Sequence, residues 1–234
     1  MYISNRELDE LGESLARYYL EKSGSEADAK SMDIAGLAKF LGLRVVFAPF
    51  AEKDLEKIGF LADGKTPLMI KNNGEVAPFL FPVGTIVLDI LLHQKRECGR
   101  CRFTIAHEIA HYVMELHRPA AEFYRVYDEN KEYTPEEMRE CLNMTETQAD
   151  RLAAALLMPK VLVQKALEKH HDGRKIIVYG QNVFSNGDQK AVSRMAEELG
   201  VSFTALVIRL RQFDMLEYRP IEEYLDKTIP GGAA

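Results

Sequence analysis

Phe103-Thr104-Ile105-Ala106-His107-Glu108-Ile109-Ala110-His111-Tyr112-Val113-Met114 is the stretch on which the reading of this chain turns. Apolar residues recur through it at helical spacing. Phe103, Ala106, Ala110 and Val113 share one flank while Ile105, Ile109 and Leu116 share another, so the pattern predicts a helix buried all round. Two imidazoles and a carboxylate sit inside that run, and such groups are costly to bury without partners. His107 and His111 stand four residues apart and therefore fall on one face of the helix. A pair so placed can grip one divalent metal ion, and Glu108 is close enough around the helix to reach a water beside it.

A third ligand is needed, and Thr145-Glu146-Thr147-Gln148-Ala149-Asp150-Arg151-Leu152-Ala153-Ala154-Ala155-Leu156-Leu157-Met158-Pro159 offers one. Ala149, Leu152, Ala153 and Leu156 form a helical stripe suited to packing on the first helix. Glu146 and Asp150, again four apart, share a face. Glu146 can then point at the metal, while Asp150 can accept the second ring N–H of a ligating histidine, fixing its tautomer and raising its basicity. Taken alone, these acids would be a solvated pair near a helix start, where the macrodipole favours negative charge. The histidines upstream tip the reading to ligands.

The first segment has the HExxH form of zinc peptidases. Arg102 to His111, followed about 35 residues later by Glu146, Ala149-Asp150-Arg151, Ala153-Ala154 and Leu156-Leu157-Met158-Pro159, resembles the ImmA/IrrE family of metallopeptidases. The pairing of the two segments is far more specific than HExxH alone. The resemblance implies a small thermolysin-like fold and a zinc site, one ion per chain, built from His107, His111 and Glu146 with Glu108 as general base. It also implies a substrate class, helix-turn-helix repressors of mobile elements or stress regulons, cut to release transcription. Ala110 departs from the glycine many members carry, and alanine is the better helix former.

Composition agrees with one catalytic domain and a small appendage. The chain has 234 residues, 47% hydrophobic and 28% charged, enough for a sizeable core. A net charge of −6 weighs against DNA contact, which calls for a basic field. Three cysteines are too few for a disulfide framework, and neither a signal peptide nor a membrane-length apolar run is apparent. The expected compartment is the cytoplasm, with no membrane partner.

Upstream, Arg6 to Glu21 reads as an amphipathic helix on Leu8, Leu11, Leu15, Tyr18 and Tyr19, broken at Gly24. A second helix from Ile34 to Leu41 leads into a strand at Leu43–Phe47. Ile58–Ala62, Leu68–Lys71 and Thr85–Leu88 read as further strands, and Thr85–Asp89 is the expected edge strand for aligning a substrate backbone. Pro78 and Pro82 read as a turn region. His93 to Arg102 reads as a loop carrying Cys98-Gly99-Arg100-Cys101, two reduced cysteines with too few soft partners for a second metal site. Thr134-Pro135-Glu136-Glu137 is a helix start. A group to stabilise an oxyanion could be Tyr112, His117, Tyr124, Tyr127 or Tyr179.

Past Pro159 the sequence predicts a helix over Lys160–His170, a strand at Ile176–Tyr179, and solvated His170 and His171. Ala191 to Ser202, with Gly200 in the turn, and a helix from Phe203 to Phe213 have a helix-turn-helix outline. Leu206, Val207, Leu210 and Phe213 there look like core, which favours packing or substrate docking over DNA reading. The expected architecture is α+β: a zincin-like domain over residues 1–165 with a short mixed sheet, a helical region over 166–228, and a disordered tail over 229–234. The expected activity is zinc-dependent endoproteolysis of a helix-turn-helix repressor. Its rival is a zinc-binding regulator that sequesters a repressor, or binds DNA, without cutting; an intact Glu108 argues against that rival, since a scaffold has no need of a base.

Overall fold

The computed structural model describes residues 3–51, 58–72, 74–94, 98–117 and 135–228. The expected tail at 229–234 and the candidate residues Thr134, Tyr124 and Tyr127 lie outside them. The chain divides into two compact units, one formed by Met1–Ala27 with Asp33–Leu157, the other by Asp28–Met32 with Met158–Ala234. Both mix helices with small sheets, so the protein is α+β.

Helix α1, Asn5–Ser23, opens the first unit. Ser4 and Glu7 form a capping box, the Glu7 N–H donating to Ser4 Oγ and the Ser4 N–H to Glu7 Oε2, and Gly24 in the left-handed region closes the helix. Its buried stripe is Leu8, Gly12, Ala16, Tyr19 and Leu20. Tyr18, expected on that stripe, is half exposed, and the small residues Gly12 and Ala16 take the innermost places instead. The reason is proximity to another helix. A Cβ on Gly12 would lie 2.5 Å from Ala155 Cβ, so only glycine allows this approach to α4, Pro135–Leu157. Arg151 Nη2 on α4 pairs with Asp9, and Gln148 Nε2 donates to the Ile3 carbonyl, which ties the two helices further.

Helix α2, Ile34–Phe40, is capped by Asp33, which also accepts from Tyr19 Oη. Five strands follow: β1 at Arg44–Ala48, β2 at Gly59–Ala62, β3 at Leu68–Asn72, β4 at Glu75–Phe79 and β5 at Thr85–Asp89. One sheet runs β1-β5-β2, with β5 parallel to β1 and antiparallel to β2. Thr85–Asp89 is therefore the central strand, paired on both sides and buried at every position, and the expectation that it forms the substrate-aligning edge is wrong. The edge strand packed against the helix Cys98–His117 is β2. Strands β3 and β4 form a separate hairpin. Pro78, expected in a turn, lies instead in β4, whose side chains are all exposed, and proline is tolerated on an outer strand.

Helix α3, Cys98–His117, carries the motif. It begins earlier than expected, taking Cys98 and Cys101 into its first turn; both are free thiols, and burial pushes Cys101 up. Ile105, Ala106, Ile109, Ala110, Val113 and Met114 are buried, but Phe103 and Leu116 are exposed, so the helix opens on one side instead of being enclosed all round.

The second unit holds α5 (Lys160–His171), β6 (Ile176–Tyr179), β7 (Val183–Phe184), α6 (Asn186–Leu199), α7 (Phe203–Gln212), β8 (Leu216–Arg219) and α8 (Glu222–Thr228). Its sheet runs β7-β6-β8, with β6 and β8 parallel. His170 and His171 are not solvated in a turn. They end α5, where His170 Nε2 meets Glu198 Oε2 at 2.7 Å and His171 Nε2 meets Asp188 Oδ1 at 3.1 Å. Arg209 on α7 is only 1% exposed: its Nε donates to the Met158 carbonyl, its Nη1 to Gln212 Oε1, and its guanidinium lies over the Phe213 ring. Its charge faces inward and is spent on the unit's own core.

Candidate metal centre

Helices α3 and α4 are packed together in the first unit, and their facing sides bring the expected residues into one cluster. One ligand atom from each of His107, His111 and Glu146 lies within 4.8 Å of the other two. His107 Nε2 is 3.0 Å from His111 Nε2 and 3.0 Å from Glu146 Oε2, and His111 Nε2 is 3.5 Å from Glu146 Oε1. A tetrahedral ion with bonds of about 2.0–2.1 Å sets neighbouring donors roughly 3.3–3.4 Å apart, so two imidazole nitrogens and one carboxylate at these separations fit a small divalent cation. Behind them, Asp150 Oδ1 lies 2.9 Å from His107 Nδ1. A carboxylate so placed accepts the ring N–H when it is carried on Nδ1, and in that tautomer of the neutral ring the Nε2 lone pair is left for a metal.

The local charges are consistent with this use. Burial pulls His107 down, but the hydrogen bond to Asp150 and the charges of Glu108, Glu146 and Asp150 together outweigh it and hold His107 above its ordinary range. A negative field that favours a proton also favours a divalent cation. Glu108 is 8% exposed and borders the same cleft, of about 540 Å³, that is walled by Phe103, His107, His111, Glu146 and Asp150 from the helices and by Ile58 with Gly59 to Leu61 of β2. Glu108 lies against β2 at Gly59, where an added Cβ would stand 2.6 Å from Glu108 Oε1.

A family model described as Peptidase M78, IrrE N-terminal-like domain, matches residues 38–211. The chain belongs to that family. A comparison with curated proteins gives no significant match. M78 membership implies a peptidase and hence a protein substrate, and the matched range takes in α3, α4 and the strand beside them. Among the described residues no helix of this M78 chain is long and apolar enough to cross a membrane.

The three cluster residues His107, His111 and Glu146, with Asp150 behind them, are those the sequence pointed to, whereas it gave no sign that Gly59 lies against Glu108. Nothing local marks that glycine, because its neighbour Glu108 is about 50 residues away in the chain. Of the candidates for stabilising an oxyanion, Tyr112 is half-buried on α3 and does not border the cleft, while Tyr179 belongs to the second unit, buried against Tyr224. The side chain of His117 lies outside the described residues, as do Tyr124 and Tyr127.

Proposed function

We propose that this M78 protein is a zinc-dependent endopeptidase with a thermolysin-like site, and that it cuts a helix-turn-helix repressor to relieve repression. The observation that carries the reading is the cluster of His107, His111 and Glu146 with the Glu108 carboxylate bordering the same cleft. Three protein donors leave a coordination position open, as catalytic zinc sites require. Zinc held there supplies Lewis acidity toward a scissile carbonyl and makes a neighbouring water more acidic.

The chain's own residues do the rest. Asp150 keeps the His107 ring in one tautomer and orientation. β2 is an edge strand of its sheet among the described strands, so an extended peptide can add along it with its carbonyls toward Glu108. Glu108 takes the proton of the attacking water and delivers it to the departing amine. Its burial suits that role, since a base shielded from solvent is held to one geometry. The substrate class follows from the family resemblance of the two motif segments. One zinc per chain follows from the single donor cluster found among the described residues.

The test replaces the base alone. Glu108→Gln keeps size and shape, so the fold and zinc content should persist while cleavage of the repressor encoded beside this protein falls by at least about 10²-fold. Repressor length on a gel and the activity of its promoter, followed in cells co-expressing either form, give the answer. Relief of repression by Glu108→Gln with the repressor intact in both cases would establish the sequestering binder instead.

A further inference from the structure

Glycine inside a strand weakens it by roughly 0.5–1 kcal/mol relative to alanine, so Gly59 at the start of the four-residue strand β2 needs a reason. The reason is not a left-handed backbone, for Gly59 is absent from the positive-φ positions. It is the space where a side chain would go. A Cβ there would lie 2.6 Å from Glu108 Oε1 and closer still to Thr104 Cγ2, whereas non-bonded carbon contacts settle near 3.5–4.0 Å.

The strand's alternation shows what this achieves. Phe60 turns to the opposite face and packs with Ala48, Leu68 and Val87, while Gly59 and Leu61 face the cleft. The Asp89 N–H donates to the Ile58 carbonyl, so the Gly59–Leu88 pair falls between ladder hydrogen bonds and the Gly59 N–H and C=O point to the open edge. Glu108 is thus seated against bare backbone. We propose that Gly59 is a positioning residue for the general base: by carrying no side chain it lets the Glu108 carboxylate lie against β2 and holds it in one place facing His107, His111 and Glu146. This rests on the peptidase reading of Glu108 given above.

Two measurements separate this from ordinary packing around Thr104. The first needs neither metal nor substrate: urea unfolding of the metal-free protein in a double-mutant cycle of Gly59→Ala with Glu108→Ala, run in a Thr104→Ser background that removes the methyl but keeps the hydroxyl bonded to the Arg100 carbonyl. Gly59→Ala should raise the unfolding constant roughly tenfold with Glu108 present and by less than about threefold in the Glu108→Ala background. Additive effects would overturn the proposal. If Gly59→Ala does not fold, recovery of folding by Glu108→Ala supports the contact, and recovery by Thr104→Ser alone overturns it.

The second uses zinc-loaded protein and the repressor that the native form cuts. Gly59→Ala should lower kcat by about 10²-fold or more with KM and zinc content unchanged, and adding Thr104→Ser should not restore it. Undiminished kcat, or restoration by Thr104→Ser, refutes the positioning role. If the native protein cuts no repressor, it is the peptidase reading that fails, and the unfolding cycle still decides whether Gly59 seats Glu108.

Discussion

Asp150→Ala removes the carboxylate 2.9 Å behind His107 without touching a donor of the cluster, so it isolates what orientation contributes to metal binding. Loss of such a supporting group typically costs about 10- to 100-fold in affinity. The Asp150 side chain is 58% exposed, and water can replace part of what it does, which places the expected loss near the lower end, about tenfold or about 1.4 kcal/mol. A second effect runs the other way. Asp150 helps hold His107 above its ordinary pKa, and protons compete with the metal for that ring, so removing the carboxylate also removes some of the competition. Above the raised pKa the proton is already gone and the full loss should appear; below it, the two effects offset and the loss should shrink. Competition titration with a chromophoric zinc chelator at about pH 8 and about pH 6 reads both numbers. Equal affinity for the two proteins at the higher pH refutes the orienting role. Abolished binding, or an oxygen of Asp150 within about 2 Å of the ion in a zinc-bound crystal structure, refutes it from the other side by making Asp150 a ligand.

Gly12→Ala sets about 1 kcal/mol of helix propensity against overpacking of about 1–3 kcal/mol where the new methyl meets Ala155. The clash should win by about 1 kcal/mol in urea unfolding, and Ala155→Gly should recover part of it; a stabilised Gly12→Ala protein would show that α1 and α4 are not held this closely. In the second unit, the hydrogen bond from Lys169, with another from His170, holds Glu198 below its ordinary pKa. A carboxylate depressed in the folded state contributes stability above its unfolded pKa, about 4.3, and that contribution is lost as pH falls through the folded value. Glu198→Gln should therefore lower stability at neutral pH and flatten its decline below about pH 4.5, and an acid limb of unchanged slope counts against the pairing.

The parts of this protein legible in its sequence are those whose cause is local. His107, Glu108 and His111 declare themselves because helical spacing places them, and Glu146 and Asp150 because acids at the same spacing interrupt an apolar stripe. Two helix stops are equally plain, since Gly24 and Gly200 act on residues within one turn, whereas α3 and the helix ending at Gly200 both start earlier than their apolar patterns suggest. Strand order is a different matter. The pattern of Thr85–Asp89 shows a buried strand but not which strands flank it, and β2 and β5 differ as edge and centre only through pairing over some 25 residues. His170 and His171 look solvated beside a polar turn because their partners Glu198 and Asp188 come from α6. Gly12 and Gly59 carry no local signal, because each is defined by what another element brings up against it.

Two donors of the candidate centre come from α3 and the third from α4, so their meeting depends on the rotational phase of each helix. One residue inserted within α4, between Glu146 and the stripe that begins at Ala149, swings Glu146 by about 100° around the helix while Ala149, Leu152 and Ala153 stay packed. Helical phase, and not spacing along the chain, is therefore what descent must preserve for these three side chains to meet.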